Sequence, residues 1–306
     1  MTTAGDGPEG DADRAPGHEP VLVDEIVQIL QPERGGLFID CTLGLGGHTR
    51  ALIERGATRV LGIDRDRSAL ERAPAALGAI AGRVDTVHAD YRDLAEVLDL
   101  RGVAAVDGIL ADLGVSSMQL DAPGRGFSFR RDEPLDMRMD PSAGPTAADL
   151  VNETGEQALA DAIFQYGEER YSRRIAKAIV AARPLRSTGE LAAVVRKAVR
   201  PKGYQRLDPA TRTFQALRIW VNHELEGLDT FLGVAARRLA TGGRLAVVTF
   251  HSLEDRIVKH TLRELAADDA GLRVLTKKPI RPGGEEVARN PRARSAKLRG
   301  LARTGE

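Results

Sequence analysis

The stretch Gly35-Gly36-Leu37-Phe38-Ile39-Asp40-Cys41-Thr42-Leu43-Gly44-Leu45-Gly46-Gly47-His48-Thr49 sets the frame for the rest of the chain. Leu37 to Ile39 is a short apolar run of the kind that becomes a buried strand. It breaks into a glycine turn, and Thr49-Arg50-Ala51-Leu52-Ile53 reads as the first turns of a helix. Strand, glycine turn and helix together bring bare backbone N–H groups up to a nucleotide-like ligand. A second apolar run, Val60-Leu61-Gly62-Ile63, ends on Asp64, an acid placed to accept from both hydroxyls of a ribose. A dinucleotide site wants G-x-G-x-x-G. Gly44 and Gly46 fit, but Thr49 occupies the third position, which argues against a nicotinamide oxidoreductase. The D-x-x-x-G-x-G pattern from Asp40, with an acid on the next strand, instead points to the S-adenosylmethionine (SAM) site of a class I methyltransferase. The bland reading is a glycine turn with no ligand.

Outward from this motif, apolar runs and helical patterns alternate. Val23, Ile26, Val27 and Leu30 keep helical spacing, closed by Pro32 and Gly35-Gly36. Ser68 to Leu77 is a helix, Val84 to Val87 a third strand, and Val106 to Leu110 a fourth. Such alternation implies a parallel sheet with ligand groups at the carboxyl ends of its strands. Gly46, Asp64, Asp90-Tyr91 and Asp112 all fall at those ends. Tyr91 offers a ring to stack on adenine and Asp90 an acceptor for its amino group; taken alone a Tyr there is more often a half-buried packing residue, and the strand-end context reverses that reading. In enzymes that methylate base amines, the loop after the fourth strand holds an acid or amide, two prolines and an aromatic. Only Asp112 of that set is present, because Leu113-Gly114 stands where the prolines would be. Asp112 is therefore a candidate to orient an amine, to contact the cofactor, or simply to cap its loop.

From about Met118 to Leu207 no strand is evident. Gln157 to Tyr166 and Ser172 to Ala182 read as helices, and Ser187-Thr188-Gly189-Glu190 is a capping box that opens another. This is a helical insertion. Pro209 to Leu239 reads as one long amphipathic helix stopped by Gly242-Gly243, with Arg244 to Phe250 a fifth strand ending in His251-Ser252-Leu253-Glu254-Asp255-Arg256. The spacing of that last group matches no zinc pattern. His251 is better read as a contact to a base or phosphate, beside a Ser252-x-x-Asp255 cap. A last short strand begins at Val274, and the tail beyond it reads as loop. Its segment Asn290 to Arg299 alternates cations with small residues, a pattern suited to a phosphate backbone, with a solvated tail as the bland alternative.

Composition bounds the rest. The 306 residues carry 44 basic and 44 acidic side chains, but the head is acidic and the tail basic, a hint of a polyanionic partner. No apolar run approaches the roughly 20 residues that cross a bilayer. The single cysteine, Cys41, fits a reducing cytoplasm and reads as a packing residue rather than a nucleophile.

Several strings resemble the RsmH (MraW) family of bacterial methyltransferases. They are His18-Glu19-Pro20-Val21-Leu22, Gly46-Gly47-His48, Asp112 to Ser117, Pro134 to Met139, Phe214 to Ile219 with Val221-Asn222, Phe250 to Arg256, and Asn290 to Ser295. The likeness runs in order from His18 to about Arg299. It implies SAM-dependent methylation of a cytidine N4 amine in 16S ribosomal RNA of the small subunit. It also implies Gly46, Gly47 and His48 at the methionine end of SAM, Asp64 at the ribose, Tyr91 by the adenine, and Asp112 and Gln119 completing the pocket. Pro134 to Met139 would line the entrance. His251, Arg256, Arg292, Arg294 and Lys297 are the candidate RNA contacts. The expected division is a disordered leader at 1–17, a methyltransferase domain at 18–117 and 209–306, and a helical substrate-recognition insertion at 118–208. No metal is expected, a homodimer is left open, and the rival reading is a non-catalytic SAM-binding ribosome assembly factor.

Overall fold

The strands β1 (Leu37–Asp40), β2 (Arg59–Asp64), β3 (Val84–His88), β4 (Val106–Asp112), β5 (Leu239–Thr249), β6 (Leu272–Val274) and β7 (Lys297–Arg303) form one sheet. Its order is β3-β2-β1-β4-β5-β7-β6, with β1 to β5 parallel and β7 antiparallel to both β5 and β6. This computed structural model describes residues 20–116, 119–120, 122–199 and 207–305. The acidic leader, His18, Glu19, Ser117 and Met118 lie outside the described residues.

Side chains alternate across a strand, so one apolar run feeds two cores. Ile39, Ile63, Ile109 and Val247 turn to one face. There they meet helices α4 (Leu94–Leu100), α10 (Leu228–Arg237) and α11 (Ser252–Asp268) through Leu98, Phe231 and Val258. Phe38, Val60, Leu110 and Val248 turn to the other, against α1 (Val23–Leu30) and α2 (Gly47–Glu54) through Ile26, Leu30 and Leu52. Each such side chain contributes about 1.5–3 kcal/mol when fully buried. Gly108 is required by this packing. A Cβ there would lie 2.4 Å from the Phe38 ring, so the bare strand makes room for the largest side chain of its neighbour. Beside the glycine turn, α3 (Arg67–Leu77) packs Ala73 and Leu77 on Leu43.

Between β4 and β5 the chain leaves the sheet as α5 (Ala147–Glu153), α6 (Glu156–Gly167), α7 (Ser172–Ala182), α8 (Thr188–Val199) and α9 (Ala210–Asn222). The capping box that opens α8 is present: Glu190 N–H donates to Ser187 Oγ at 3.3 Å, and Ser187 N–H to Glu190 Oε2 at 3.1 Å. These helices share a core that includes Leu159, Ile163, Ile175, Ile179, Leu191 and Val195. Phe214 and Leu217 of α9 belong to the same core. The helical unit thus extends beyond residue 208, because the apolar stripe of α9 turns to the insertion and not to the sheet.

Three local expectations are corrected. The pattern from Pro209 to Leu239 is two helices, since the chain turns at His223 (φ 51°) and Gly227 (φ 69°) between α9 and α10. Hydrophobic spacing runs through this turn unbroken, which hid it. The cap of α11 is His251, one residue earlier than read, with Glu254 as its reciprocal partner. The basic tail is not loop. It forms α12 (Gly284–Arg289), a 3-10 turn at Pro291–Ser295, and β7, whose Leu298 and Leu301 are fully buried. Its inward-facing apolar residues were masked in the sequence by the cations between them. Among the described residues no helix is long and apolar enough to cross a membrane.

Candidate active site

The carboxyl ends of β1, β2 and β4 meet around the glycine turn. Asp40 is buried there and accepts from Thr49 Oγ1 at 2.7 Å and Thr42 N–H at 3.2 Å, so it braces the turn and start of α2 from inside. Gly46 adopts φ +80° at the N-cap of α2, a conformation that suits glycine, and a Cβ there would strike Leu77 at 2.6 Å. At the end of β2, Asp64 accepts from Gly44 N–H at 2.7 Å and from Asp66 N–H at 2.8 Å. Burial nevertheless outweighs these donors and pushes its carboxyl up to about 6.

A cavity of about 330 Å³ opens along these strand ends, at the lower end of the range of about 300–1,000 Å³ usual for small-molecule sites. Asp64, Tyr91, Asp112, Gln119, His251 and Arg292 of the sequence candidates line it. Tyr91 is held edge-on against Phe231 with ring centroids 4.8 Å apart, and its hydroxyl donates to the Glu224 carbonyl at 3.3 Å. Gln119 donates to Asp66 Oδ2 at 3.0 Å and accepts from Ser116 N–H at 3.0 Å, which ties the loop after β4 to the end of β2.

Asp112 is the exception to this satisfied network. Its N–H donates to Thr42 Oγ1 at 2.7 Å, but the buried Oδ1 has no hydrogen-bond partner. Oδ2 stands 3.4 Å from His48 Nε2. His48 is itself buried, with both ring nitrogens lacking a hydrogen-bond partner. Burial lowers its proton affinity, yet Asp112, together with the charges of Asp40 and Glu286, more than offsets this and shifts the ring upward from its ordinary value. A buried carboxylate oxygen left without a partner costs about 1–3 kcal/mol. Such an orphan on the cavity wall is what a site built for polar groups of a ligand leaves behind, whereas His48 stands behind Asp112 and is not among the lining residues.

Residues 15–304 match the model of the MraW methylase family. The chain belongs to the MraW methylase family. It is 51% identical over 303 residues to the "Ribosomal RNA small subunit methyltransferase H" of Bradyrhizobium diazoefficiens, covering 94% of this chain and 92% of that one. The proteins of the same name from Paramagnetospirillum magneticum (50% over 306 residues, 94% and 96% covered) and Cyanothece sp. (52% over 283 residues, 92% and 93% covered) are as similar.

In this MraW methylase, other candidates stand elsewhere. Gly46 and Gly47 shape the turn and are not among the lining residues. Asp90 does not face the cavity. It caps the turn at Tyr91 and is gripped by Arg92 at 2.8 and 2.7 Å, with Arg65 at 3.5 Å, so the expected contact to an adenine amino group is not available to it. Arg256 pairs with Glu168 at 3.1 Å on the surface, bridging α11 and the helical unit. Arg294 is exposed, whereas Lys297 sits in β7 with its ammonium 3.0 Å from Asp255. Of Pro134 to Met139, only Met139 reaches the cavity.

Sequence reasoning missed three groups. Asp66 is buried and gathers Ser68, Gln119 and Arg125, an anchor signalled only by its place two residues before Ser68 at the start of α3. Arg218 and Glu224 form a forked pair, 2.8 Å at both contacts, across the end of α9. Glu224 joins His251 and Glu254 in a buried cluster whose potential ligand atoms lie within 4.8 Å of one another. Arg218 already engages both Glu224 oxygens and supplies the positive charge an ion would bring. Cys41 is buried, and burial raises its thiol well above its ordinary value, which suits packing and not nucleophilic attack.

Proposed function

We propose that this chain methylates the N4 amine of a decoding-site cytidine in 16S ribosomal RNA, with SAM as donor. The observation that carries the reading is Asp112: a buried carboxylate oxygen without a partner, on the wall of a cavity at the strand ends, in a member of a methylase family. The relatives' name supplies the acceptor class, ribosomal RNA of the small subunit. When bound, SAM supplies a methyl group activated on a sulfonium.

The residues present suit that group. Asp64 accepts from ribose hydroxyls, Tyr91 offers its ring to the adenine, and the unpartnered Asp112 oxygen, with His48 behind it, suits the polar methionine end. A cytosine amine is a poor nucleophile because its lone pair is delocalised into the ring. Asp112, accepting one N–H, favours the geometry in which that pair is free to attack. Alignment in a water-poor cavity is the protein's main contribution. The target base must leave its stack to enter, and the helical unit, whose Met139 lines the cavity, is the part we assign to the RNA.

Three measurements test this reading. The first is transfer of labelled methyl from SAM to small ribosomal subunits lacking the modification, followed by nucleoside digestion. Label in N4-methylcytidine is expected, whereas SAM binding without any transfer would favour a non-catalytic assembly factor. The second is the pH dependence of SAM affinity. Asp64 titrates at about 6 and acts as the carboxylate, so affinity should be flat above pH 7 and fall as pH drops through 6. The fall approaches about tenfold per pH unit below that, as linkage requires. Titration calorimetry from pH 5 to 8 reads it, and a flat profile would remove Asp64 from the ribose. The third concerns the tail. Replacing Arg292 and Arg294 together should weaken RNA binding and make its salt slope shallower by about 1.5, because each phosphate neutralised by a cation adds about 0.7–0.9 to that slope. An unchanged slope would assign the tail to something other than phosphate.

A further inference from the structure

The same cavity is lined by His251 and Glu254, which the mechanism above leaves unused. We infer that these two side chains read the Watson–Crick edge of the target base, Glu254 accepting from N4–H and His251 donating to N3 of cytosine. The inference rests on the acceptor being a cytidine.

The cap of α11 decides the tautomer. Glu254 N–H donates to His251 Nδ1 at 3.4 Å, and a ring nitrogen that accepts carries no proton. The neutral ring therefore bears its hydrogen on Nε2. Nε2 lies 3.1 Å from Glu254 Oε1, but out of line with it, and has no hydrogen-bond partner although the side chain is only 7% exposed. On Glu254, the other oxygen, Oε2, accepts from Phe250 N–H at 2.9 Å and faces His251 N–H at 3.4 Å. Oε1 is thus the oxygen left for a further donor. A donor and an acceptor stand side by side on the wall of one cavity, both anchored by the helix cap.

Cytosine presents the complementary order, a donor at N4 next to an acceptor at N3. Uracil presents the reverse, an acceptor at O4 and a donor at N3, and would face carboxylate with carbonyl and N–H with N–H. Enzymes that take a base out of its stack commonly read it by this edge. Behind the pair, the Arg218 fork neutralises Glu224, so the remaining groups suit a neutral polar edge.

The experiment uses the full chain and small subunits lacking the modification, with cytidine or 3-deazacytidine at the target position. H251N keeps an oxygen to cap Glu254 N–H but loses Nε2–H. E254Q keeps an oxygen for Phe250 N–H and sets an NH2 where Oε1 stood. H251N is expected to slow single-turnover transfer to cytidine by about 10–100-fold, the worth of a good base contact. Its SAM Kd and Tm should stay at wild-type values. Removing N3 from the base should slow the wild type by a similar factor and H251N no further. E254Q should slow transfer to both bases. Wild-type rates in H251N, or an equal loss with 3-deazacytidine in both proteins, would overturn the inference. Should H251N fail to fold, a wild type indifferent to 3-deazacytidine, or an E254Q as fast as wild type, overturns it just as well. If wild-type enzyme places no label on cytidine N4, the reading of the reaction itself falls, and this inference with it.

Discussion

Asp112→Ala is expected to lower single-turnover methyl transfer at saturating SAM by on the order of 10²-fold or more, the usual effect of losing a group that holds reacting atoms in place. The same substitution should leave the fold intact. Asp112 is tied to Thr42 through its backbone N–H, while Oδ1 has no partner and Oδ2 has only His48 at 3.4 Å. Asp112 is half-buried and supports the buried His48 ring, so its loss leaves that ring without its partner and Tm should fall only modestly while activity collapses. SAM affinity is measured alongside, because Asp112 is also proposed to meet the methionine end of SAM. Transfer near the wild-type rate at saturating SAM would show that Asp112 does not orient the amine.

Asn222→Ala should give the largest loss of stability. Asn222 is buried at the end of α9; its Oδ1 accepts from Met139 N–H at 2.7 Å, and its Nδ2 donates to the carbonyls of Met137 at 2.7 Å and Arg218 at 2.9 Å. Arg65, next to Asp64, reaches the same Oδ1 at 3.3 Å. One side chain thus fastens the Met137–Met139 segment, the end of α9 and the edge of the sheet domain. Met137 is held at φ +63°, a conformation that costs energy for a non-glycine residue and needs such an anchor. Truncation leaves a buried N–H and a buried carbonyl without partners, for about 3 kcal/mol in total. In a chain of 306 residues that is a fall in Tm of roughly 5 °C. Thermal melting reads it, and limited proteolysis should then cut first near Met137 to Met139. A loss below about 1 kcal/mol would mean that water replaces the amide and the segment is held by its apolar neighbours.

What was legible in the sequence was local chemistry with a period. Two-residue alternation in Phe38-Ile39 and Leu245 to Val248 is enough to specify a sheet covered on both faces, because each strand must bury both sets. The glycine turn after β1 and the acid ending β2 were legible for the same reason, as were Tyr91 and Asp112: a parallel strand delivers the residue after it to one edge. Periodicity misled wherever a break left no gap in the hydrophobic spacing, as at His223 between α9 and α10. It misled again in the tail, where the cations of β7 concealed a strand. There Arg299 and Lys297 both lean on Asp255, at 2.7 and 3.0 Å, so a run that reads as phosphate-binding is partly an internal clamp on α11.

The sequence by itself determined the alternation of the first four strands with helices, the glycine turn, the sheet edge on which Asp64, Tyr91 and Asp112 fall and the family motifs. Each of these depends on residues near one another along the chain. Only the tertiary structure decided which charges are already answered. Asp90 is held by Arg92 and Arg65, Glu224 by Arg218, and Lys297 by Asp255, whereas Asp112 Oδ1 and His251 Nε2 have no hydrogen-bond partner. A carboxylate's availability depends on which donors folding brings within about 3 Å of it. Such donors come from distant parts of the chain, as Arg125 does for Asp66 and Lys297 and Arg299 do for Asp255, and no spacing in the sequence records them.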